Sequence, residues 1–385
     1  KLFLIKLTKE KPKDENKETS IQQLKEEISK GETIFSAIGG LRAQRGFVSW
    51  FLGRDDHFSF EIVAEHGKIY FYAVAPEKNA LYLEKQITAH YPDAVLEEVD
   101  DYNAFVPNGQ VAAAYLKTKN QFVLSLKTYE KMSVDPLNSI INVLSKLDRD
   151  ESVAIQYLVR SAPGKWHQAS KRASSMINRY GSVWHGLRAS NPFWATYYTV
   201  FPPKIKQSKN QSGMSTPKSL TAVEQEMLKM IEEKNQKAGL EVNLRLVACA
   251  KTKEKATYYL ENLSNVYSEY NNYNYGNNFS RIYTGNQHRI INDFIYRRFR
   301  DNISFLLGTE ELTSLFHLPL KGTETPNIVW LTSRIAPAPA NIPNEGITLG
   351  NNIYRGVKKE IRIKRQDRRR HTYIIGKSGT GKSVL

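Results

Sequence analysis

Cysteine is almost absent from this 385-residue chain: Cys249 stands alone, inside an apolar run. A single thiol excludes an internal disulfide and any metal site built on cysteines, and it suits a reducing compartment. Long hydrophobic runs are missing too. A spanning helix needs about 18 or more apolar residues in succession, and Lys1-Leu-Phe-Leu-Ile-Lys-Leu7 is far shorter. That stretch reads as a strand, or as the last turn of something upstream. No secretory signal pattern is present. The eight histidines are scattered without metal-ligand spacing, and no nucleophile–base constellation stands out. The chain starts at Lys1 rather than at a methionine and stops at Leu385 within a motif, so a piece of a larger protein is expected.

Positive charge is what the chain has in excess. Its 55 lysines and arginines outnumber 39 aspartates and glutamates, for a net charge of +16. Such an excess suits an anionic partner (nucleic acid, a membrane surface or nucleotide phosphates) or a merely basic surface. Hydrophobic residues make up 41%, enough for real cores, and the length allows two or three domains.

Periodicity predicts an α+β accessory region. A broken helical stripe runs from Thr19 to Ile38 and stops at Gly39-Gly40. Phe58–Ile62 and Ile69–Val74 read as two strands around Gly67, Ala80, Leu83 and Ile87 as one helix face closed by Pro92, and Val95–Val99 as a returning strand. This ββαβ order suits ferredoxin-like βαβ units. A second, interrupted copy is expected downstream. Its parts are a strand at Val153–Val159, helices at Lys165–Arg179 and after the Thr221/Glu224 capping-box pair, a strand at Val242–Ala248, a helix from Lys253 and a strand at Phe279–Tyr283. Short helices are expected at Ile290–Phe299 and Glu310–Phe316, and strands at Gly346–Ile353 and Lys359–Lys364. The expected division is an N-terminal helix and linker over 1–50 and a first α+β domain over 51–202. A mobile linker over 203–218, a second α+β region over 219–334 and a Pro-rich connector over 335–345 follow. The start of a P-loop ATPase domain occupies 346–385.

The chemistry lies at the far end. Thr372-Tyr-Ile-Ile375 reads as a short strand running into Gly376-Lys377-Ser378-Gly379-Thr380-Gly381-Lys382-Ser383. Gly376, Gly379 and Gly381 let the backbone turn tightly and aim its N–H groups at phosphate. The helix that should follow reinforces that anion nest. Lys382, the candidate catalytic residue, reaches the β- and γ-phosphates, and Ser383 offers its hydroxyl to Mg²⁺. The four specified positions match by chance in only about 1% of chains of this length at ordinary residue frequencies, and a strand in front lowers that further. ATP and Mg²⁺ are therefore the expected cofactors. Only Val384 and Leu385 follow, so this stretch alone is expected to be inactive in hydrolysis.

Weaker signals carry two readings each. Arg362, Lys364, Arg365, Arg368, Arg369 and Arg370 are a phosphate, DNA or subunit contact, or a solvated turn in which Asp367 pairs with an arginine. Tyr258, Tyr259, Tyr267, Tyr270, Tyr273 and Tyr275 are a base-stacking surface or, more commonly, a helix face. Trp166, Trp184 and Trp194, interleaved with Lys165, Lys171, Arg172, Arg179 and Arg188, read first as core. Glu97, Glu98, Asp100 and Asp101 read as a solvated strand end.

The run from Gly346 through Leu349-Gly-Asn-Asn-Ile-Tyr-Arg-Gly356 to Asp367-Arg-Arg-Arg-His371 and the phosphate loop resembles the start of a particular ATPase domain. That domain belongs to type IV secretion coupling proteins, the TraG/TraD-like conjugative ATPases of the HerA–FtsK superfamily. Asp56-His-Phe-Ser-Phe-Glu-Ile62, Tyr91-Pro-Asp-Ala94 and Glu310-Glu-Leu-Thr-Ser-Leu-Phe-His-Leu-Pro319 resemble the accessory region of a bacterial branch. The resemblance implies a RecA-like α/β NTPase domain and a ring-forming, often hexameric motor that moves DNA or a protein–DNA complex through a secretion channel. It implies channel proteins as partners and a place at the cytoplasmic face of a bacterial inner membrane, with membrane helices upstream of Lys1. Only Gly376–Ser383 carries over residue by residue. Two further readings stay open: a non-enzymatic docking scaffold with a vestigial loop, and a P-loop ATPase that drives assembly of a secretion machine.

Overall fold

A computed structural model describes residues 1–9, 20–44, 54–203, 207–209, 215–217, 220–282, 286–320, 323, 325, 327–331, 336–354 and 357–370. The chain is α+β, with a mostly antiparallel main sheet. It divides into two compact units, Lys1–Leu331 and Thr332–Leu385.

The first unit is built from one motif used twice. Strand β1 (Leu2–Lys6), helix α1 (Ile21–Gly39), β2 (Phe58–Glu65), β3 (Lys68–Val74), α2 (Glu77–His90) and β4 (Val95–Glu98) follow in β-α-β-β-α-β order. They lie in the sheet as β4-β1-β3-β2, the split βαβ arrangement. Strand β5 (Gln110–Thr118), α3 (Leu137–Leu144), β6 (Ser152–Ser161), β9 (Gly239–Ala250), α8 (Lys253–Val266) and β10 (Phe279–Ile282) repeat it as β10-β5-β9-β6. The halves join through their second strands: β2 pairs antiparallel with β6, Glu61 opposite Gln156. Two equivalent strands paired antiparallel relate the halves by a pseudo-two-fold axis through the seam. β1 is thus an inner strand, which the sequence left open. β5 and α3 had no counterpart in the expected copy.

Local chemistry explains the elements. α1 starts at a capping box between Ser20 and Gln23 and buries Ile28, Ile34, Phe35 and Ile38, a helical stripe. β2 and β3 turn at His66 and Gly67, both at positive φ (51° and 72°), as a two-residue hairpin of the primed type requires. All four repeat helices pack on one sheet face in a single apolar cluster. Over the seam, Phe316 packs on Phe60 and Tyr157, with ring centroids 5.2 and 5.8 Å away. These two residues are themselves partners across β2 and β6. Helix α10 (Thr309–Leu315), preceded by β11 (Phe305–Gly308), which pairs with β9, delivers Phe316 there.

The second repeat opens its central hairpin into an insertion over residues 162–238. It holds α4 (Lys165–Tyr180), α5 (Val183–Ala189), α6 (Pro192–Val200), a hairpin of β7 (Gln207–Lys209) and β8 (Ser215–Pro217), and α7 (Ala222–Gln236). The boundaries expected at 202 and 219 fall inside this insertion. β6 and β9 on either side of it are paired, so the first unit is continuous to Leu331. The stretch expected as a linker carries the β7–β8 pairing. α7 opens with the capping box expected at Thr221 and Glu224. The insertion has its own small core of Ile177, Val183 and Ile231 against Val123 and Leu124.

In the second unit, β12 (Ile347–Tyr354) and β13 (Val357–Ile363) form an antiparallel hairpin. Among the described residues, no helix is long and apolar enough to cross a membrane.

Candidate functional site

The phosphate loop Gly376–Ser383, with Lys377, Ser378, Thr380 and Lys382, lies outside the described residues, as does its expected lead strand Thr372–Ile375. The basic run before it is described. Arg362 pairs with Glu360 at 2.7 Å and Arg370 approaches Asp367 at 3.7 Å, while Arg365, Arg368 and Arg369 are exposed. Half of the tyrosine stretch is core: Tyr259, Tyr267 and Tyr270 are buried, and Tyr270 donates to the Pro136 carbonyl. Tyr258 and Tyr273 are exposed. Glu97 and Glu98 pair with Lys6 and Lys1 on the neighbouring strand. Asp101, read from sequence as solvated, holds Arg297 at 2.7 Å. Among the described residues, no histidine, cysteine or carboxylate cluster could hold a metal ion.

Two chemically distinctive regions remain. The first is the sheet face opposite the repeat helices. A row crosses five strands there: Tyr72 and Glu61 from the first repeat, then Gln156, Arg245 and Tyr115 from the second. Glu61 is wholly buried. It accepts from Ser59 (2.6 Å), Tyr102 (2.8 Å), Gln156 (2.9 Å) and Arg297 (2.8 Å). Burial alone would discourage charge on Arg297, but the Glu61 and Asp101 carboxylates outweigh it and raise its pKa. Arg245 is buried without a carboxylate partner. Its guanidinium donates to Gln156 at 2.7 Å, to the Asp293 carbonyl at 2.8 Å and to the Arg298 carbonyl. The Asp293 carbonyl lies in the last turn of α9 (Gln287–Ile295), where a cation complements the helix dipole, and Arg298 lies just beyond it. Burial lowers the pKa of Arg245. Asp293 receives Arg300 (2.7 Å) and the Tyr115 hydroxyl (2.7 Å). Burial opposes its charge, yet these contacts hold its carboxyl below the ordinary value. Glu61 and Asp293 are matched by Arg297 and Arg300, and Arg245 is held by an amide and two backbone carbonyls, so the network is a fastener. It pins the segment around α9 and Arg297–Arg300 across the seam.

The second region is the insertion. Residues 162–238 contain twelve lysines and arginines and four glutamates, and all four glutamates lie on α7, so residues 162–221 carry no carboxylate. Trp166 is buried and lies on the Gly239 backbone, where an added Cβ would sit 2.3 Å from its Nε1. That fits the core reading. Trp184 does not fit it: it is exposed, as are Phe193, Tyr197, Val200 and Phe201. The Arg188 guanidinium lies 3.7 Å from the Trp184 ring centroid and 4.5 Å from that of Trp194, a cation held between two aromatic rings. Interleaved basic and aromatic residues pointed to this region. The missing carboxylates would have separated it from core.

A tandem split-βαβ domain with a cationic, aromatic insertion is the class these features define. The chain belongs to the family described as Domain of unknown function (DUF8128), whose model matches residues 10–331. That span coincides with nearly the whole first unit. No curated protein matches the chain.

Proposed function

We propose that residues 1–331 are the non-catalytic accessory unit of a P-loop motor ATPase whose RecA-like domain starts in the second unit. The observation that carries this reading is the sequence Gly376–Ser383 behind an apolar Tyr373-Ile-Ile375. ATP binds there, Lys382 holds the β- and γ-phosphates and Ser383 holds Mg²⁺. The motor is a homo-oligomeric ring that moves DNA, alone or with bound protein, through a type IV secretion channel at the inner membrane. The internally matched charges of the seam support a structural role for the first unit, and the excess of lysine and arginine supports an anionic cargo.

The test is ATP turnover by the whole protein with and without double-stranded DNA. DNA-stimulated turnover that Lys382→Ala abolishes, with DNA binding that weakens steeply as salt rises, is the expected result. Turnover indifferent to DNA overturns the cargo, and ATP binding unchanged by Lys382→Ala overturns the site. The exposed aromatic insertion favours one second reading, a docking scaffold with a vestigial loop. Under that reading neither form binds ATP and partner binding survives Lys382→Ala.

A further inference from the structure

Helix α6 packs chiefly on α5. Between Arg188 and Lys204 the chain carries no charge. Phe193, Val200 and Phe201 are 71%, 66% and 61% exposed, and only Tyr198 of the helix is buried. The Thr196 and Thr199 hydroxyls donate to the carbonyls of Pro192 and Ala195 within the helix. The helix therefore has few hydrogen bonds to lose on leaving water. Single exposed apolar residues are ordinary, but a contiguous apolar tip marks a partner.

Charge selects the partner. Lys165, Lys171 and Arg179 of α4 are exposed, and no carboxylate occurs in the sequence from Ser152 to Val223. The insertion as a whole, residues 162–238, carries twelve lysines and arginines against four glutamates, all four on α7, and an apolar tip on such a net-cationic body matches an anionic bilayer. There apolar groups enter the headgroup–acyl boundary, aromatic rings sit at headgroup level, and lysine and arginine stems reach back to the phosphates. Nucleic acid would engage the cations and the ring faces but leave Val200 without a role. A helix of nine residues is too short to span, so it lies in the interface plane.

We propose that α6 and Phe201 form a docking site for anionic lipid surfaces, with Phe193, Val200 and Phe201 entering the bilayer and the basic residues of α4 holding headgroup phosphates. The site is independent of the phosphate loop, so Lys382→Ala leaves it intact.

The test is co-sedimentation of the protein with phosphatidylcholine vesicles, with and without phosphatidylglycerol. The comparison is with the triple variant Phe193→Ser, Val200→Ser, Phe201→Ser and with Lys171→Glu, Arg179→Glu. These side chains are exposed, so both variants should keep the parent's circular dichroism and melting temperature. Expected are binding that requires phosphatidylglycerol, a loss of about tenfold or more in the triple variant, and loss in the charge variant that is greatest at low salt. Phosphatidylglycerol vesicles should also blue-shift the emission of Trp184 and leave that of buried Trp166 unchanged, read in single-tryptophan variants. Equal vesicle binding by parent and triple variant overturns the proposal. So does single-stranded DNA binding that the triple variant loses while vesicle binding is absent. Concentration-dependent self-association without lipid that the triple variant abolishes overturns it in favour of a second copy.

Discussion

The two repeats share a strand order and differ in one hairpin. The first closes β2 onto β3 with His66-Gly67, while the second separates β6 from β9 by residues 162–238. Both hairpins stay in register, with Glu65 opposite Lys68 in one and Ser161 opposite Leu240 in the other. Loop-closure entropy grows only slowly with length, so an insertion of this size is tolerated if it brings its own core. This one does, around Ile177 and Ile231. Gly186 lets α5 approach α4, since a Cβ there would lie 2.2 Å from Ile177 Cγ1. One repeat is thus a plain structural half, and the other carries the exposed chemistry.

The largest expected effect comes from cutting the tie between the insertion and the sheet. Lys234 of α7 pairs with Glu311 of α10 at 2.9 Å, with both side chains at most 3% exposed. Glu311 also accepts from the backbone N–H groups of Leu126 (2.7 Å) and Gly308 (2.6 Å). Lys234→Met leaves that carboxylate buried without its cation and should cost about 3–5 kcal/mol, read as a lower denaturant midpoint. Adding Glu311→Gln should recover part of the loss. A cost under about 1 kcal/mol, the range of an exposed pair, would mean that the small core alone holds the insertion.

A smaller effect separates the two ends of the seam by pH. On the first-repeat side, His57 Nε2 meets the Arg297 carbonyl at 2.8 Å, and burial lowers its pKa. On the second-repeat side, Arg300 and Tyr115 hold Asp293 low against its burial. Both groups have lower pKa values folded than unfolded, so the unfolded chain takes up protons first as pH falls. Their contributions are complete above the unfolded values, about 6.5 for His and 3.9 for Asp, and are lost as pH falls through the folded ones. Amide exchange of residues 287–303, corrected for intrinsic rate, should rise first below about pH 6.5 and again below about pH 4. Asp293→Asn should remove the second step. A profile flat to pH 3 would show that the polar row does not fasten this segment.

The seam also shows what was legible in the sequence. Asp56-His-Phe-Ser-Phe-Glu-Ile62 and Glu310–Pro319 stand out as phrases in the sequence, and they meet there on the helical sheet face. Phe60 and Phe316 lie on the helical side, Glu61 in the polar row. Their alternation placed β2, but nothing local to Glu61 announces Arg297, which is 236 residues away. The second copy was readable in β6, β9, α8 and β10. It was mis-framed because β5, Gln110-Val-Ala-Ala-Ala-Tyr-Leu-Lys-Thr118, is alanine-rich and weakly alternating. The helix expected within the repeat at Lys165–Arg179 belongs to the insertion. The aromatic region reads first as core because Trp166 and Trp184 look alike in sequence, and packing against Gly239 separates them.

The smallest effect tests the plain hairpin. Gly67 sits at φ 72°, and a Cβ there would meet only Arg149 Cγ at 3.6 Å, an ordinary contact. Gly67→Ala therefore has a conformational cost and little steric one, about 1 kcal/mol. His66→Asn, at φ 51°, should recover a few tenths of a kcal/mol, because asparagine tolerates the left-handed region better. Both changes are read as melting-temperature shifts of a few degrees or less. The second repeat has no equivalent position: its hairpin diverges after Ser161 and resumes at Gly239, which packs under Trp166. A loss well above 2 kcal/mol in Gly67→Ala would mean that the tight turn does more than close the hairpin, and the contrast between a plain half and a chemically loaded half would weaken.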